Sequence, residues 1–113
     1  MEAYVFQAAL YCRDCGEALV RDLRDRGAED TGDSDDFPQG PYPDGGGEAD
    51  TPQHCDNGTQ CVAAEIIGGR RVGAFLENPL TSDGEAYVRQ SLADTPGIPL
   101  VRFWAEHYGL DQS

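Results

Sequence analysis

Four cysteines in two distant pairs constrain this sequence more than any other feature. The first pair is Cys12 and Cys15, a C-x-x-C followed at once by Gly16, and the second is Cys55 and Cys61. Two thiolates at C-x-x-C spacing can converge on one tetrahedral metal ion, and two such pairs supply the four ligands of a closed structural zinc site. The sequence therefore predicts one structural Zn²⁺ bound by all four cysteines. The second pair is the less typical one, because five residues separate its members.

His54 immediately precedes Cys55 and is the other candidate ligand at the second pair. Adjacent side chains in an extended segment point in opposite directions, so these two cannot readily bind the same ion. We therefore predict Cys55 as the ligand and His54 as a surface residue or one that is hydrogen-bonded beside the ligands. His107, in the last predicted helix, is interpreted as surface.

The alternatives to a structural metal are disulfides, redox exchange and a catalytic metal. Glu2 and only a short apolar stretch follow Met1, which predicts no signal peptide, and no apolar run approaches the roughly 20 residues of a membrane helix. We therefore expect a soluble cytoplasmic protein, in which disulfides rarely persist. Only eleven residues precede Cys12, too few for the strand and helix that precede the C-x-x-C of a thioredoxin-like fold. A catalytic zinc ion keeps one position open, and four cysteines leave none.

Size and charge limit both the fold and the partners. A chain of 113 residues with 39% hydrophobic content can form one domain, residues 1–113, whose modest core a metal ion would help to stabilise. Twenty-one acidic residues against eight arginines and no lysine give a net charge of −13. A nucleic-acid binder usually has a basic face, so we expect no direct nucleic-acid binding. The arginine groups are interpreted as solvated surface: Arg70 and Arg71, and Arg21, Arg24 and Arg26.

The first two thirds of the chain carry signals for strands and for one helix. Residues 4–11 are rich in aromatic and β-branched residues and predict a strand. Apolar positions at helical spacing predict a helix from Glu17 that ends at Gly27. Two β-prone runs, 62–67 and 70–76, are joined by a Gly-Gly dipeptide and predict a β-hairpin.

The last third is predicted to be helical. Ser82 and Glu85 form a capping box for a helix that Pro96 stops, and a final helix is expected from Pro99, a favourable first residue, to Gly109. The pattern as a whole predicts an α+β fold. Its small zinc-ribbon-like sheet would consist of the N-terminal strand and the β-hairpin, with two or three helices packed on one face.

Residues 28–53 are predicted to be a long acidic loop. Glycines and prolines are too frequent there for a helix or a central strand, and Phe37 and Tyr42 are the large apolar residues that could anchor it. Its first half contains four aspartates: Asp30, Asp33, Asp35 and Asp36. Clustered carboxylates can bind calcium, but no EF-hand spacing of glycine and glutamate follows them. We interpret them as part of a solvated loop.

Four motifs occur together along the chain: C-x-x-C-G at 12–16, D-G-G-G-E-A-D at 44–50, P-Q-H-C-D at 52–56 and L-E-N-P-L-T-S-D-G at 76–84. In these motifs the chain resembles a group of short uncharacterised bacterial and phage-encoded proteins with a zinc-ribbon-like C-x-x-C-G and a second His-Cys pair. The resemblance spans most of the chain. It implies the metal site, and it implies that the Gly-rich loop and segment 76–84 are shaped elements beside it. It implies no activity.

These observations lead to a non-catalytic binding or adaptor module as the expected function. A closed metal site leaves no reactive group, and a strongly acidic surface favours a basic protein partner. A nucleic-acid mimic that occupies the DNA- or RNA-binding site of another protein is the alternative. An enzyme is the third possibility, and it would gain support if His54 and the loop aspartates converged on a pocket.

Overall fold

The structure, a computed structural model, describes residues 1–111; the last two residues of the predicted domain, Gln112 and Ser113, lie outside this range. Its first element is a tight hairpin of strands β1 (Ala3–Phe6) and β2 (Ala9–Cys12). The sequence predicted a single strand over residues 4–11, and that prediction is wrong because the chain turns at Gln7 and Ala8. Both turn residues have positive φ, 50° and 61°, as a two-residue hairpin turn requires.

Helix α1 (Arg13–Asp25) begins directly where β2 ends, with Cys12 as its N-cap residue. It therefore starts earlier than the predicted Glu17 and contains Cys15 and Gly16 in its first turn. A Cβ atom on Gly16 would lie 2.3 Å from the ring of Tyr4, so only glycine lets the helix pack this closely on β1. The predicted end of the helix is confirmed, because Gly27 follows it with a φ of +86°.

The acidic segment 28–53 contains ordered structure. Strand β3 (Gln39–Tyr42) pairs with β1, so the first sheet has the order β2-β1-β3. Phe37 is 1% exposed and anchors the segment as predicted, whereas Tyr42 is 43% exposed and does not. A short turn follows at Asp44–Gly46, whose backbone packs against the segment after the second hairpin.

The second hairpin consists of β4 (Glu65–Ile67) and β5 (Arg70–Val72), which are shorter than the predicted runs. Its Gly-Gly turn is confirmed, with positive φ at both glycines. The hairpin forms a separate two-stranded sheet, so the α+β class is confirmed but the strand and hairpin do not share one sheet. The reason is that other chain segments occupy the edges. Leu10 of β2 exchanges hydrogen bonds with Asp56, and residues 74–76 after β5 pair with residues 53–55.

Two helices complete the described part of the chain: α2 (Ser82–Asp94) and α3 (Pro99–His107). The predicted start of α3 is confirmed, with Pro99 in its first turn. The predicted capping box, with Ser82 as the N-cap of α2, is wrong by one residue. Thr81 is the N-cap, and its Oγ1 accepts a hydrogen bond of 3.1 Å from the backbone N–H of Gly84.

The buried side chains form two clusters. One surrounds the four cysteines and includes Ala74 and Leu76, and the other joins α2 to α3 through Val88, Ala105 and Leu110. Among residues 1–111, none of the helices has the length and apolar character needed to cross a membrane.

Candidate metal centre

The four cysteines meet at one point of the fold. Their Sγ atoms all lie within 4.8 Å of one another, and all four residues are buried. The Sγ atoms of Cys12 and Cys61 are 3.6 Å apart, far longer than the roughly 2.05 Å of a disulfide bond, and all four cysteines are free. A zinc ion with four sulfurs at about 2.3 Å holds them roughly 3.8 Å apart. The sulfurs therefore form a site that could hold a metal ion.

Each cysteine is positioned by a different piece of backbone. Cys12 ends β2, and Cys15 lies in the first turn of α1, so the strand-to-helix junction fixes the first pair. Cys55 lies in the short ladder with residues 74–76, where its N–H donates to the carbonyl of Ala74 at 2.8 Å. Cys61 follows a single 3₁₀ turn, Gly58–Gln60, which brings the chain back toward Cys55.

Hydrogen bonds of Asp56 and Arg71 hold the chain segments that carry the cysteines. Asp56 accepts a hydrogen bond of 2.7 Å from the N–H of Leu10 through its Oδ2, and its own N–H donates to the Leu10 carbonyl at 2.8 Å. Arg71 closes the loop between the last two cysteines, because its guanidinium donates to the carbonyl oxygens of Thr59 (2.8 Å) and Cys61 (3.2 Å). These contacts act beside the cysteines in holding the site together.

N–H groups near the sulfurs favour their thiolate form. Against the larger effect of burial, the backbone N–H of Cys15 lowers the pKa of Cys12, and those of Cys12 and then Asn57 lower the pKa of Cys55. Against the same effect of burial, the backbone N–H groups of Ala74 and Ala63 lower the pKa of Cys61. The remaining sulfur, on Cys15, accepts from the side-chain amide of Asn57 at 3.5 Å. Donors of this kind stabilise thiolates, the form in which cysteine binds metals.

The pKa values of the thiols show why a cation would matter. Burial raises the pKa of Cys12 far above that of an ordinary thiol, and burial raises the pKa of Cys55 to about 11. Burial acts in the same direction on Cys61, but hydrogen bonds from Ala74 and Ala63 and from the neighbouring thiols lower its pKa below the ordinary value. Several buried thiolates repel one another and are poorly solvated, so a bound cation would stabilise them.

His54 is not one of the clustered ligands in the described chain, and its ring is engaged elsewhere. Its Nδ1 lies 2.7 Å from the carbonyl oxygen of Gly73, and its Nε2 accepts a hydrogen bond of 3.0 Å from the indole N–H of Trp104. The ring therefore links the segment that carries Cys55 to helix α3. His107 is exposed, as predicted, although its ring contacts the edge of Phe75.

The acidic loop does not contribute to this centre. The four aspartates considered above as cation ligands are all exposed: Asp30, Asp33, Asp35 and Asp36. None of them lines the cavity of about 500 Å³ beside His54. The convergence of histidine and carboxylates that would favour an enzyme is therefore not observed for these residues.

Comparison with known proteins adds nothing to the geometry: the chain matches no family model, no curated protein and no solved structure among those compared. The assignment of this centre therefore rests on the chain's own residues. The resemblance to short bacterial and phage-encoded proteins stays a prediction.

Sequence reasoning identified the sulfurs but not the residues that hold them. Asn57 has a weak signal, because a polar residue two positions after a metal-binding cysteine can turn its N–H toward the sulfur. Asp56 and Arg71 have none that a linear pattern could carry. Asp56 contacts Leu10, which is 46 positions away in the chain. Arg71 contacts the backbone of Thr59 and Cys61, ten or more positions before it.

Proposed function

We propose that Cys12, Cys15, Cys55 and Cys61 hold one structural Zn²⁺ and that this ion stabilises a non-catalytic binding module. The observation that carries the proposal is the meeting of four buried sulfurs within 4.8 Å of one another. Four thiolates in a tetrahedral arrangement select zinc or iron over hard cations such as magnesium and calcium. A closed set of four ligands leaves no position for a substrate or a reactive water. When bound, the ion would supply structural cross-linking.

Metal analysis of the purified protein tests the first half of this proposal. We expect one zinc per chain, and we expect Co²⁺ substitution to give the intense thiolate-to-metal absorption of a tetrahedral sulfur site. Replacing either member of the second pair, in Cys55→Ser or Cys61→Ser, should abolish stoichiometric binding. His54→Gln is the matched control in the same segment and should retain the zinc.

Three outcomes would contradict the assignment. A protein that is fully folded without bound metal would remove the structural role. Titration of fewer than four free thiols after denaturation would indicate disulfides. Loss of zinc in His54→Gln, with zinc kept in Cys55→Ser, would exchange the ligand at the second pair.

We further propose that the module binds a basic protein partner in the cytoplasm through its acidic loop. Hydrogen bonds within the loop hold two of its carboxylates in place. Asp30 and Asp33 accept hydrogen bonds of 2.9 Å from the N–H groups of Gly32 and Asp35, and the Gln39 amide donates to Asp30 at 2.8 Å. The Gln39 bond, followed by the Gly32 bond, lowers the pKa of Asp30. The carboxylates are thus presented in a defined arrangement, which favours specific recognition of positive charge.

Affinity capture with paired variants tests this half. The bait is the zinc-loaded protein, and its variant neutralises part of the loop as Asp33→Asn/Asp35→Asn/Asp36→Asn. A control removes the same charge from α2 as Asp83→Asn/Glu85→Gln/Asp94→Asn. A partner retained by the wild type and the control, and lost by the loop variant, supports the proposal. Equal retention by all three contradicts it.

The nucleic-acid mimic remains the second candidate, because the same ordered carboxylates would serve it. The two functions differ in what is captured and in how salt acts. A mimic should capture a nucleic-acid-binding protein, compete with DNA or RNA for it, and release it steeply as ionic strength rises. A partner that binds DNA or RNA undisturbed in the presence of the protein excludes the mimic.

A further inference from the structure

An apolar groove lies between the β4–β5 hairpin and the start of α3. Its volume is about 700 Å³. Ile67 and Val72 of the hairpin form one wall, and Ile98, Pro99 and Leu100 form the other. Ile98 is 46% exposed, so the groove presents aliphatic surface to the outside. A groove of this size and lining can accept one or two apolar side chains.

The two walls are held in fixed positions. A Cβ atom on Gly68, in the hairpin turn, would lie 2.5 Å from the side chain of Pro99, so hairpin and helix are in direct contact at that end. Arg71 fastens the hairpin to the loop of the second cysteine pair through the carbonyls of Thr59 and Cys61. One arginine, Arg71, therefore both lines the groove and contacts the loop of the second cysteine pair.

The charge of the groove is opposite to that of the chain. The protein has 21 acidic residues and eight arginines, yet the groove is lined by Arg70 and Arg71 and by no acidic residue. Within residues 1–111, neither arginine forms an ion pair with a carboxylate. Arg71 donates hydrogen bonds to two carbonyl oxygens, and these do not neutralise its charge. Arg70 is exposed at the rim of the groove. Interpreting this arginine pair as solvated surface does not explain why two arginines and no acidic residue line the groove.

We propose that this groove binds an extended segment of a partner protein that presents an aliphatic side chain beside a carboxylate. The aliphatic side chain would fill the apolar floor, and the carboxylate would pair with Arg70 at the rim, with the charge of Arg71 behind it. The start of α3 has no side-chain cap, and the positive end of its helix dipole favours the same negative charge. A nucleic acid fits less well, because it would bring on the order of one phosphate every few ångström to a chain of net charge −13. The inference goes beyond the proposed function, since it needs no contribution from the acidic loop.

Selection from a random peptide library displayed on phage tests the proposal without assuming the partner. The zinc-loaded full chain is the bait, and enriched peptides are synthesised and measured by fluorescence anisotropy. We expect them to carry an aliphatic residue next to Asp or Glu. Arg70→Glu should weaken their binding at least about tenfold, whereas Arg89→Glu, the same change at an exposed arginine of α2, should weaken it less than about twofold.

The apolar floor is tested in the same assay. Ile98→Ser should also weaken binding about tenfold, and serine is a favoured residue at this N-cap position, so α3 is kept. Ile66→Ser is the control, because Ile66 is 66% exposed and does not line the groove. Zinc content and thermal unfolding of every variant report folding and the metal site separately from peptide binding.

Several results would overturn the proposal. They are the absence of any enriched peptide, enrichment of basic or purely apolar peptides, and equal weakening by Arg70→Glu and Arg89→Glu. Sedimentation that shows a dimer of the wild type and a monomer of Arg70→Glu would assign the groove to a second copy of the chain instead.

Discussion

The indole N–H of Trp104 donates a hydrogen bond of 3.0 Å to Nε2 of His54, across fifty positions of the chain. Because the indole nitrogen can only donate, Nε2 of the neutral imidazole must accept. The proton of the ring then lies on Nδ1, which donates to the carbonyl oxygen of Gly73 at 2.7 Å. One side chain thus ties helix α3 to the backbone next to Cys55.

This arrangement predicts the tautomer of His54. Long-range proton–nitrogen NMR correlations should show the Nδ1–H form of the neutral ring. Trp104→Phe removes the donor, and it should cost about 1 kcal/mol in the free energy of unfolding and let the ring populate the other tautomer. His107, which makes neither bond, provides the internal reference spectrum. Finding the proton on Nε2 in the unmodified protein would disprove the hydrogen-bond pattern.

Tyr108 predicts a specific response to alkaline pH. Its hydroxyl donates to the carbonyl oxygen of Asn78 at 2.6 Å, and burial, followed by the charge of Glu77, raises its pKa from 10.0 to about 12. The fold favours the neutral phenol over the phenolate. Its contribution to the free energy of unfolding is therefore fully present below pH 10 and is lost as pH rises toward about 12. Absorbance titration of the zinc-loaded protein should show one late-ionising tyrosine.

Two variants separate this residue from the other four tyrosines. Tyr108→Phe should remove the late step and reduce the alkaline loss of stability, while Tyr42→Phe, a change at an exposed site, should leave the late step in place. A late step that survives in Tyr108→Phe would show that another tyrosine is responsible.

Gly73 is predicted to stabilise the backbone beside the metal centre. A Cβ atom there would lie 2.2 Å from the carbonyl oxygen of Cys55, and that backbone is fixed by its pairing with Ala74. Gly73→Ala should therefore destabilise the zinc-loaded protein by roughly 2–3 kcal/mol and weaken zinc retention against a chelator. Gly97→Ala meets nothing within 4 Å and should change stability by less than about 0.5 kcal/mol. Similar urea midpoints for the two variants would contradict this account.

The sequence was informative where a local residue type decides the local structure. The four cysteines were predicted as one set, and they meet. Gly27 ends α1, and Pro99 begins α3. Both boundaries depend on the conformational preference of a single residue, glycine at positive φ and proline in a first helical turn. These features need no knowledge of the rest of the fold.

The sequence was misleading where distant segments compete for the same backbone groups. Leu10 could have paired with the second hairpin, but the carboxylate and N–H of Asp56 occupy its edge, and this keeps the two sheets apart. Strand β3 contains glycine and proline and forms only because β1 offers a free edge. Such outcomes depend on tertiary pairing and outweigh local propensity.

The turn between β1 and β2 is the sharpest case, and it gives the last prediction. Gln7 and Ala8 have positive φ without being glycine or asparagine, so the turn has no sequence signal and carries backbone strain. Ala8→Gly should relieve this strain and raise the free energy of unfolding by about 1 kcal/mol in urea titrations of the zinc-loaded protein. Ala9→Gly, one position later in β2, should instead lower it by about 0.5–1 kcal/mol, because glycine weakens a strand interior. Equal destabilisation by both changes would mean that residue 8 is not at positive φ and that β1 and β2 are joined by a different turn.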